Sequence, residues 1–133
     1  MLFRSPSAFG YGKGEFRTDV RAMRHHSTVL YARREFQIDQ VDRLTEIGLL
    51  VDFSDAFIAY INGREVARSG VGRGSGRNAQ KVTPRDQKGG QFFPLPDALK
   101  HLQDGANVLT IEAHNSSVDK AEFLMNPSLI LED

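Results

Sequence analysis

Hydrophobic and polar residues alternate along several segments of this chain, a pattern typical of β-strands that bury one face. In the segment 47–53 every odd position is apolar, and Phe36 and Ile38 continue an alternation that begins near residue 29. The same pattern recurs at residues 57–61 and in two segments of the last third of the chain. It predicts strands over residues 29–38, 47–53, 57–61, 107–114 and 128–132.

Turn and breaker residues connect these segments. Asn62-Gly63 is the most favourable pair for a two-residue type I′ hairpin, because both residues tolerate positive φ, and residues 64–68 form the predicted return strand. Residues 92–96 read as a short edge strand that prolines end, and residues 96–103 read as one short helical turn. About seven strands without a long helix predict an all-β fold, an antiparallel two-sheet β-sandwich.

Composition narrows the class of protein. The 133 residues contain 17 Lys and Arg against 17 Asp and Glu, 40% hydrophobic residues and no cysteine, which predicts one domain over residues 1–133. Without cysteine the chain has no disulfide framework, thiol catalysis or Cys-ligated metal. No apolar run approaches the ~18–20 residues of a membrane-spanning helix, so no membrane is expected as a partner.

A glycine-rich basic segment covers residues 69–90 and holds six of the twelve glycines. We predict a long flexible loop here. Its glycines do not match a phosphate-binding loop, so nucleic acid and nucleotides are not expected partners. Its basic residues still allow a hypothesis of polyanion binding, whose alternative is a solvated loop; these residues are Arg73, Arg77, Lys81, Arg85 and Lys88.

Two clusters of polar residues are candidates for chemistry. Glu112 and His114 lie two apart on one predicted strand face, where they can act as metal ligands or as an acid/base pair, or simply form a polar outer face. Asp55, Glu122 and Asn126 lie in polar loops near strand ends, and their oxygens suit calcium. The chain has no recognisable catalytic signature, so we do not expect an enzyme.

Sugar binding needs an aromatic platform beside hydrogen-bonding groups. The chain has no tryptophan, and its three tyrosines are the candidate platforms: Tyr11, Tyr31 and Tyr60. Tyr60 lies on the strand face opposite Phe57, Ala59 and Ile61, so its ring is expected outside the core.

Several motifs occur in an order that resembles a known family, the galactose-binding-domain-like jelly-roll modules appended to large secreted bacterial proteins. The motifs are Phe9-Gly10-Tyr11-Gly12, Tyr31 to Phe36, Asp55 to Arg68, Gly105 to Leu109 and Glu112 to Ser117. Ser54-Asp55-Ala56 departs from the family, which commonly has Asp-Asp-Gly before the hairpin. Lys120-Ala121-Glu122 and Met125-Asn126 depart from it before the last strand.

The resemblance implies a jelly-roll sandwich that serves as a non-catalytic accessory module, excised from or appended to a larger protein. It also implies an extracellular or cell-surface location and binding of glycans, cell-surface polysaccharide or neighbouring domains. We therefore predict a carbohydrate-binding module, with calcium as a candidate cofactor. The alternative is a structural or protein–protein interaction module. The predicted ligand-binding residues are Asp55, Tyr60, Arg64, Glu112 and His114.

Overall fold

The structure, a computed structural model, describes the backbone of residues 9–11 and 18–19 and all of residues 28–85, 89–117 and 123–133. Within these ranges the chain forms nine strands. They are β1 (Phe9–Tyr11), β2 (Thr18–Asp19), β3 (Val29–Ile38), β4 (Glu46–Phe53), β5 (Ala56–Ile61), β6 (Arg64–Ser69), β7 (Gln91–Pro94), β8 (Gly105–His114) and β9 (Phe123–Glu132).

The strands form two sheets that face each other across a hydrophobic core. One sheet has the order β2-β1-β9-β4-β7, and the other has the order β3-β8-β5-β6. All strand pairs are antiparallel except the short pair β1 and β2, which is parallel. The predicted two-sheet β-sandwich is confirmed.

Alternation explains which side chains fill the core. Phe53 and Phe57, from the two sheets, meet edge to face with ring centroids 4.8 Å apart, and Phe93 approaches Phe57 at 5.2 Å. The predicted inward positions of β4, β5 and β8 are all buried in this core, and so are Phe36 and Ile38 of β3, whereas Arg34 on the same alternation of β3 is exposed. Burial of about twenty apolar side chains is the main source of stability.

The predicted hairpin and the predicted helical turn both form. Asn62 and Gly63 have φ values of 51° and 81°, as a type I′ turn requires. The helical turn is a 3-10 helix over Pro96–His101, and two further 3-10 turns, Val41–Arg43 and Gly76–Asn78, were not predicted. Among the residues described, no helix has the length and apolar character needed to span a bilayer.

The last strand is longer than the predicted segment 128–132, because it starts at Phe123. Pro127 lies inside it, and proline normally ends a central strand because it lacks an N–H donor. In the described ranges β1 pairs only with residues 123–125 of β9, so on that side Pro127 lies past the end of the neighbouring strand. The sequence pattern could not show this neighbour, and the prediction therefore stopped at the proline.

Candidate functional site

The glycine-rich segment after β6 lies against the outer face of the four-stranded sheet. We call residues 70–83 the cover loop. Backbone hydrogen bonds close it on itself: the Gln80 N–H donates to the Arg73 carbonyl (2.7 Å), and the Thr83 N–H donates to the Gly70 carbonyl (2.8 Å). Val71 is buried against Ala56 and Ile58, which form a second, smaller core on this face. Flexibility of the loop stays a prediction, but its resting position is on the sheet.

Two of the predicted site residues, Glu112 and His114, meet beneath the cover loop. Their Oε2 and Nε2 atoms are 2.6 Å apart, and each residue is only 2% exposed. The Gly76 N–H of the cover loop donates to the same Glu112 oxygen at 2.8 Å. The pair therefore lies on the outer face of the four-stranded sheet, and the cover loop buries it there.

Tyr31 and Tyr60 flank Glu112. The Tyr31 hydroxyl hydrogen-bonds to Glu112, and desolvation of that hydroxyl together with the charge of Glu112 raises the Tyr31 pKa. Burial raises the pKa of Tyr60, and Glu112 raises it further, while a hydrogen bond with Ser75 of the cover loop opposes the shift. With these contacts the Glu112 carboxylate is well satisfied, so it acts in this arrangement as an anchor for the cover loop.

Asp55 lies near His114 but connects a different pair of segments. It follows β4 in the turn into β5, is 2% exposed, and accepts a hydrogen bond from the Ser116 N–H at 2.7 Å. It thus ties the turn between β4 and β5 to the segment after β8. Ala56, its neighbour, pairs with His114, so Asp55 and His114 lie at the same end of the sheet.

Arg64 does not join this group. It begins β6 at the hairpin, is exposed, and pairs with Ile61, whereas Glu112 pairs with Ile58 further along β5. Arg68, which pairs with Ile58 in the same row as Glu112, takes the place expected for Arg64. Its guanidinium donates to both oxygens of Glu65 (2.8 and 2.6 Å) and to the Gly74 carbonyl of the cover loop (3.2 Å).

The residues proposed for calcium are not seen together. Asn126 is exposed on β9, opposite Asp52, and Glu122 lies outside the described residues. Asp55 is buried and already accepts the Ser116 N–H. In the ranges that the structure describes, no group of three or more acidic or histidine residues is placed to hold a metal ion.

Arg85, one of the five residues of the polyanion hypothesis, is not available to a ligand. Its side chain is 8% exposed, lies over the Phe53 ring at 4.2 Å, and donates to the carbonyls of Phe53 (2.9 Å) and Gly89 (2.7 Å). It also pairs with Asp52 at 3.3 Å. Including it among anion-binding residues was wrong, because it anchors the loop to the sheet. Lys88 lies outside the described residues.

An open cleft lies on the opposite side of the molecule, on the outer face of the five-stranded sheet. It has a volume of about 560 Å³, and we call it the Phe92 cleft. Strands β4, β7 and β9 form its floor, and the 3-10 turn Pro96–His101 forms one wall. Its lining residues are Thr45, Glu46, Ile47, Gly48, Phe92, Pro94, Pro96, Leu99, Ile130 and Glu132.

Phe92 is the aromatic ring of this cleft, and Gly48 determines where the ring lies. Phe92 is 52% exposed, which is unusual for a phenylalanine. A Cβ atom on residue 48 would lie 2.2 Å from the Phe92 Cζ atom, so the ring occupies the space that any larger residue would fill. The glycine therefore lets the ring lie on the strand backbone while part of it faces solvent.

Two carboxylates stand at one end of the Phe92 cleft. Glu46 of β4 and Glu132 of β9 are directly opposite each other in the antiparallel pair, and both are exposed. The cleft thus combines an aromatic surface, apolar walls and hydrogen-bonding oxygens. This combination is typical of sites for small polar ligands with an apolar face.

Comparison with known proteins supports the fold. Among solved structures, the chain is similar to an α-L-rhamnosidase from Dictyoglumus thermophilum, with a TM-score of 0.54 and 14% identity over 79% of this chain and 11% of that chain. It is also similar to an α-L-rhamnosidase from Aspergillus terreus, with a TM-score of 0.54 and 13% identity over 94% of this chain and 14% of that chain. No family model matches the chain, and no curated protein sequence matches it significantly.

The chain therefore spans 11% and 14% of the two rhamnosidase chains that it matches. At this low identity the likeness shows a shared fold. The partial coverage is consistent with a small module whose fold also occurs within longer chains.

Sequence reasoning missed the Phe92 cleft, although the sequence contains one signal for it. Gly48 interrupts an otherwise apolar and regular strand, and a glycine inside a strand often marks a place where another group approaches closely. The group is Phe92, which sequence reasoning placed only in an edge strand. Glu46 and Glu132 carry no signal of their own, because their proximity depends on the pairing of β4 with β9.

Proposed function

We propose that this chain is a non-catalytic carbohydrate-binding module and that the sugar binds in the Phe92 cleft. The observation that carries the proposal is the exposed Phe92 ring, positioned over Gly48 beside two carboxylates. A pyranose ring has an apolar face that stacks on aromatic rings and hydroxyl groups that need acceptors at its edge. The cleft offers both in one concave surface.

The likeness to fragments of two α-L-rhamnosidase chains favours an accessory role. In this proposal the module belongs with a larger protein, at the cell surface or outside the cell, and brings that protein to a glycan. Loops and edges of a rigid sandwich suit such a task, because their side chains can vary without loss of the fold.

The site that we propose differs from the one predicted from sequence. Glu112, His114 and Asp55 are buried, and a ligand would reach Glu112 and His114 only if the cover loop moved away. Tyr31, which is 59% exposed beside Glu112, is the aromatic ring that a ligand at that site would meet. The two sites can therefore be separated by a pair of matched variants.

The test compares Phe92→Ala with Tyr31→Ala. Wild-type protein is screened on a glycan array with calcium and then with EDTA, and each hit is measured by calorimetry. We expect Phe92→Ala to weaken binding about tenfold or more, as for a central aromatic anchor, while Tyr31→Ala binds like wild type. Loss of binding in Tyr31→Ala alone would place the ligand beside Glu112 instead. Hits that disappear in EDTA would support the calcium role.

A protein–protein interaction module is the second candidate function. The same exposed phenylalanine and apolar walls also suit a protein surface, and the chain matches only parts of longer chains. In that case the array shows no hits, and sedimentation shows self-association that Phe92→Ala abolishes. A monomer that binds no glycan contradicts both functions.

A further inference from the structure

The charged residues that line the Phe92 cleft are all acidic. Its charged lining residues are Glu46 and Glu132, and no lining residue is basic. The two glutamates are direct cross-strand partners on one face of the sheet. Like charges directly opposite each other destabilise a sheet. The cleft therefore holds two carboxylates at a cost to the fold.

Nothing in the described part of the chain neutralises this pair. The Thr45 hydroxyl, which lies next to it, donates to the backbone carbonyl of Glu132 at 3.4 Å and not to its carboxylate. Lys100, on the turn that forms one wall of the cleft, is paired with Asp97 of the same turn at 3.6 Å. Both carboxylates are therefore available to a group from outside the chain.

We infer that the ligand of the Phe92 cleft carries a protonated primary amine, and that it is an oligosaccharide of amino sugars with unmodified amines. This inference rests on the proposed function and deepens it. An ammonium group has three donors and no acceptor, so it can bridge two carboxylates whose Cβ atoms are about 5 Å apart across a strand pair. The sugar ring that carries the amine then lies toward Phe92.

The Phe92 ring favours such a ligand for a second reason. The face of an aromatic ring is electronegative, so it attracts a cation and also the polarised C–H groups next to an ammonium. A neutral sugar would form hydrogen bonds to Glu46 and Glu132 but would leave their mutual repulsion in place. A bare metal ion fits less well, because calcium needs six to eight oxygen ligands and the rest of the lining is largely apolar.

The experiment uses two probes that differ only in charge. Glucosamine oligomers and N-acetylglucosamine oligomers of equal length have the same backbone, but acetylation removes the positive charge. Affinities of the intact chain are measured by calorimetry at a mildly acidic pH, where the amine is protonated. We expect the glucosamine oligomer to bind roughly fivefold to thirtyfold more tightly, as two partly exposed ion pairs would give.

Four variants locate the effect. Glu46→Gln and Glu132→Gln should each weaken glucosamine-oligomer binding roughly twofold to fivefold and leave binding of the acetylated oligomer nearly unchanged. Glu35→Gln, an exposed acidic position on the other sheet, should change neither. Phe92→Ala should weaken both oligomers. Without ligand, Glu46→Gln and Glu132→Gln should unfold at an equal or higher urea concentration than wild type, because each removes the repulsion between the two carboxylates. That result would exclude misfolding as the cause of weaker binding.

The outcomes separate this inference from the proposed function. Equal affinity for both oligomers, lost in Phe92→Ala, would overturn the amine inference and leave the carbohydrate function standing. Glucosamine binding that weakens in Glu46→Gln but not in Phe92→Ala would overturn it too, because charge alone would then be responsible. The amine inference would also be overturned if the folded protein bound neither oligomer, or if it bound lysine-rich peptides and neither oligomer. In either case the glycan array decides whether the proposed carbohydrate function stands.

Discussion

Asn107 is completely buried, although asparagine is a polar residue. Its Oδ1 atom accepts hydrogen bonds from the Gln103 N–H (3.0 Å) and from the Asn62 side chain (2.9 Å), and its Nδ2 atom donates to the carbonyls of Gln103 (2.8 Å) and Gly105 (3.1 Å). The amide thus joins the β5–β6 hairpin to the start of β8. Every polar atom of this side chain is satisfied, and such networks give one defined arrangement of neighbouring segments.

We predict that Asn107→Ala lowers the free energy of unfolding by about 1–3 kcal/mol, because it removes a buried amide and leaves its partly buried backbone partners at residues 103 and 105 without their hydrogen bonds. Gln103→Ala, which removes only an exposed side-chain hydrogen bond, should cost less than about 1 kcal/mol. Urea unfolding measures both. Equal effects of the two substitutions would show that the buried amide has no special role.

At the scale of elements, β4 and β7 together form the aromatic surface of the Phe92 cleft. Residue 48 is a glycine without a positive φ, so its backbone would accept alanine, but the added Cβ would strike Phe92. Phe92 is on an edge strand and half exposed, so its ring can turn away. The pairing of β4 with β7 places the ring, and the missing side chain at Gly48 makes room for it.

Gly48→Ala should therefore separate stability from binding. The free energy of unfolding should change by less than about 1 kcal/mol, because alanine costs less chain entropy than glycine and offsets the lost ring packing. Glycan affinity should fall roughly twofold to tenfold as the ring leaves its position. Gly72→Ala, on the cover loop at the opposite face and also without a positive φ, is the matched control. Unchanged affinity in Gly48→Ala would count against Phe92 as the platform.

At the scale of the whole molecule, the two sheets have outer faces of opposite character. The cover loop closes one face over Glu112 and His114, and the other face is open at the Phe92 cleft. Arg68 connects strand β6 to the cover loop, because its guanidinium contacts both Glu65 and the Gly74 carbonyl. The hydrogen bonds from Arg68 lower the pKa of Glu65 below its ordinary value of 4.5.

The lowered pKa of Glu65 predicts that the free energy of unfolding depends on pH in the acidic range. A carboxyl group with a lowered pKa in the folded state contributes stability above its unfolded pKa, and the contribution is lost as the pH falls through the folded pKa. Unfolding stability should therefore decrease below about pH 4.5, by less than about 1 kcal/mol since Glu65 is partly exposed. Glu65→Gln should lack this part of the decrease. Urea unfolding across the acidic range, with Glu35→Gln as control, measures the difference.

Sequence patterns predicted much of the fold and little of the site. The alternation in β4 and β8 and the Asn62-Gly63 turn depend on nearest neighbours along the chain, so they could be interpreted directly. The position of the cover loop could not be interpreted in this way, although the sequence holds one clue to it. The sequence of β5, Ala56–Ile61, is apolar on both faces, which indicates that both are buried. This clue would have predicted a cover over the Glu112 face.

The sequence by itself determined the strands, the hairpin and the sandwich, since these follow from local backbone preferences and from the need to bury one face of each strand. The tertiary structure alone decided that Glu112 and His114 are covered, that Phe92 lies over Gly48, and that Glu46 stands beside Glu132. These contacts join segments far apart in the chain. They depend on strand order and register, which are set by the packing of the whole core and not by any single segment.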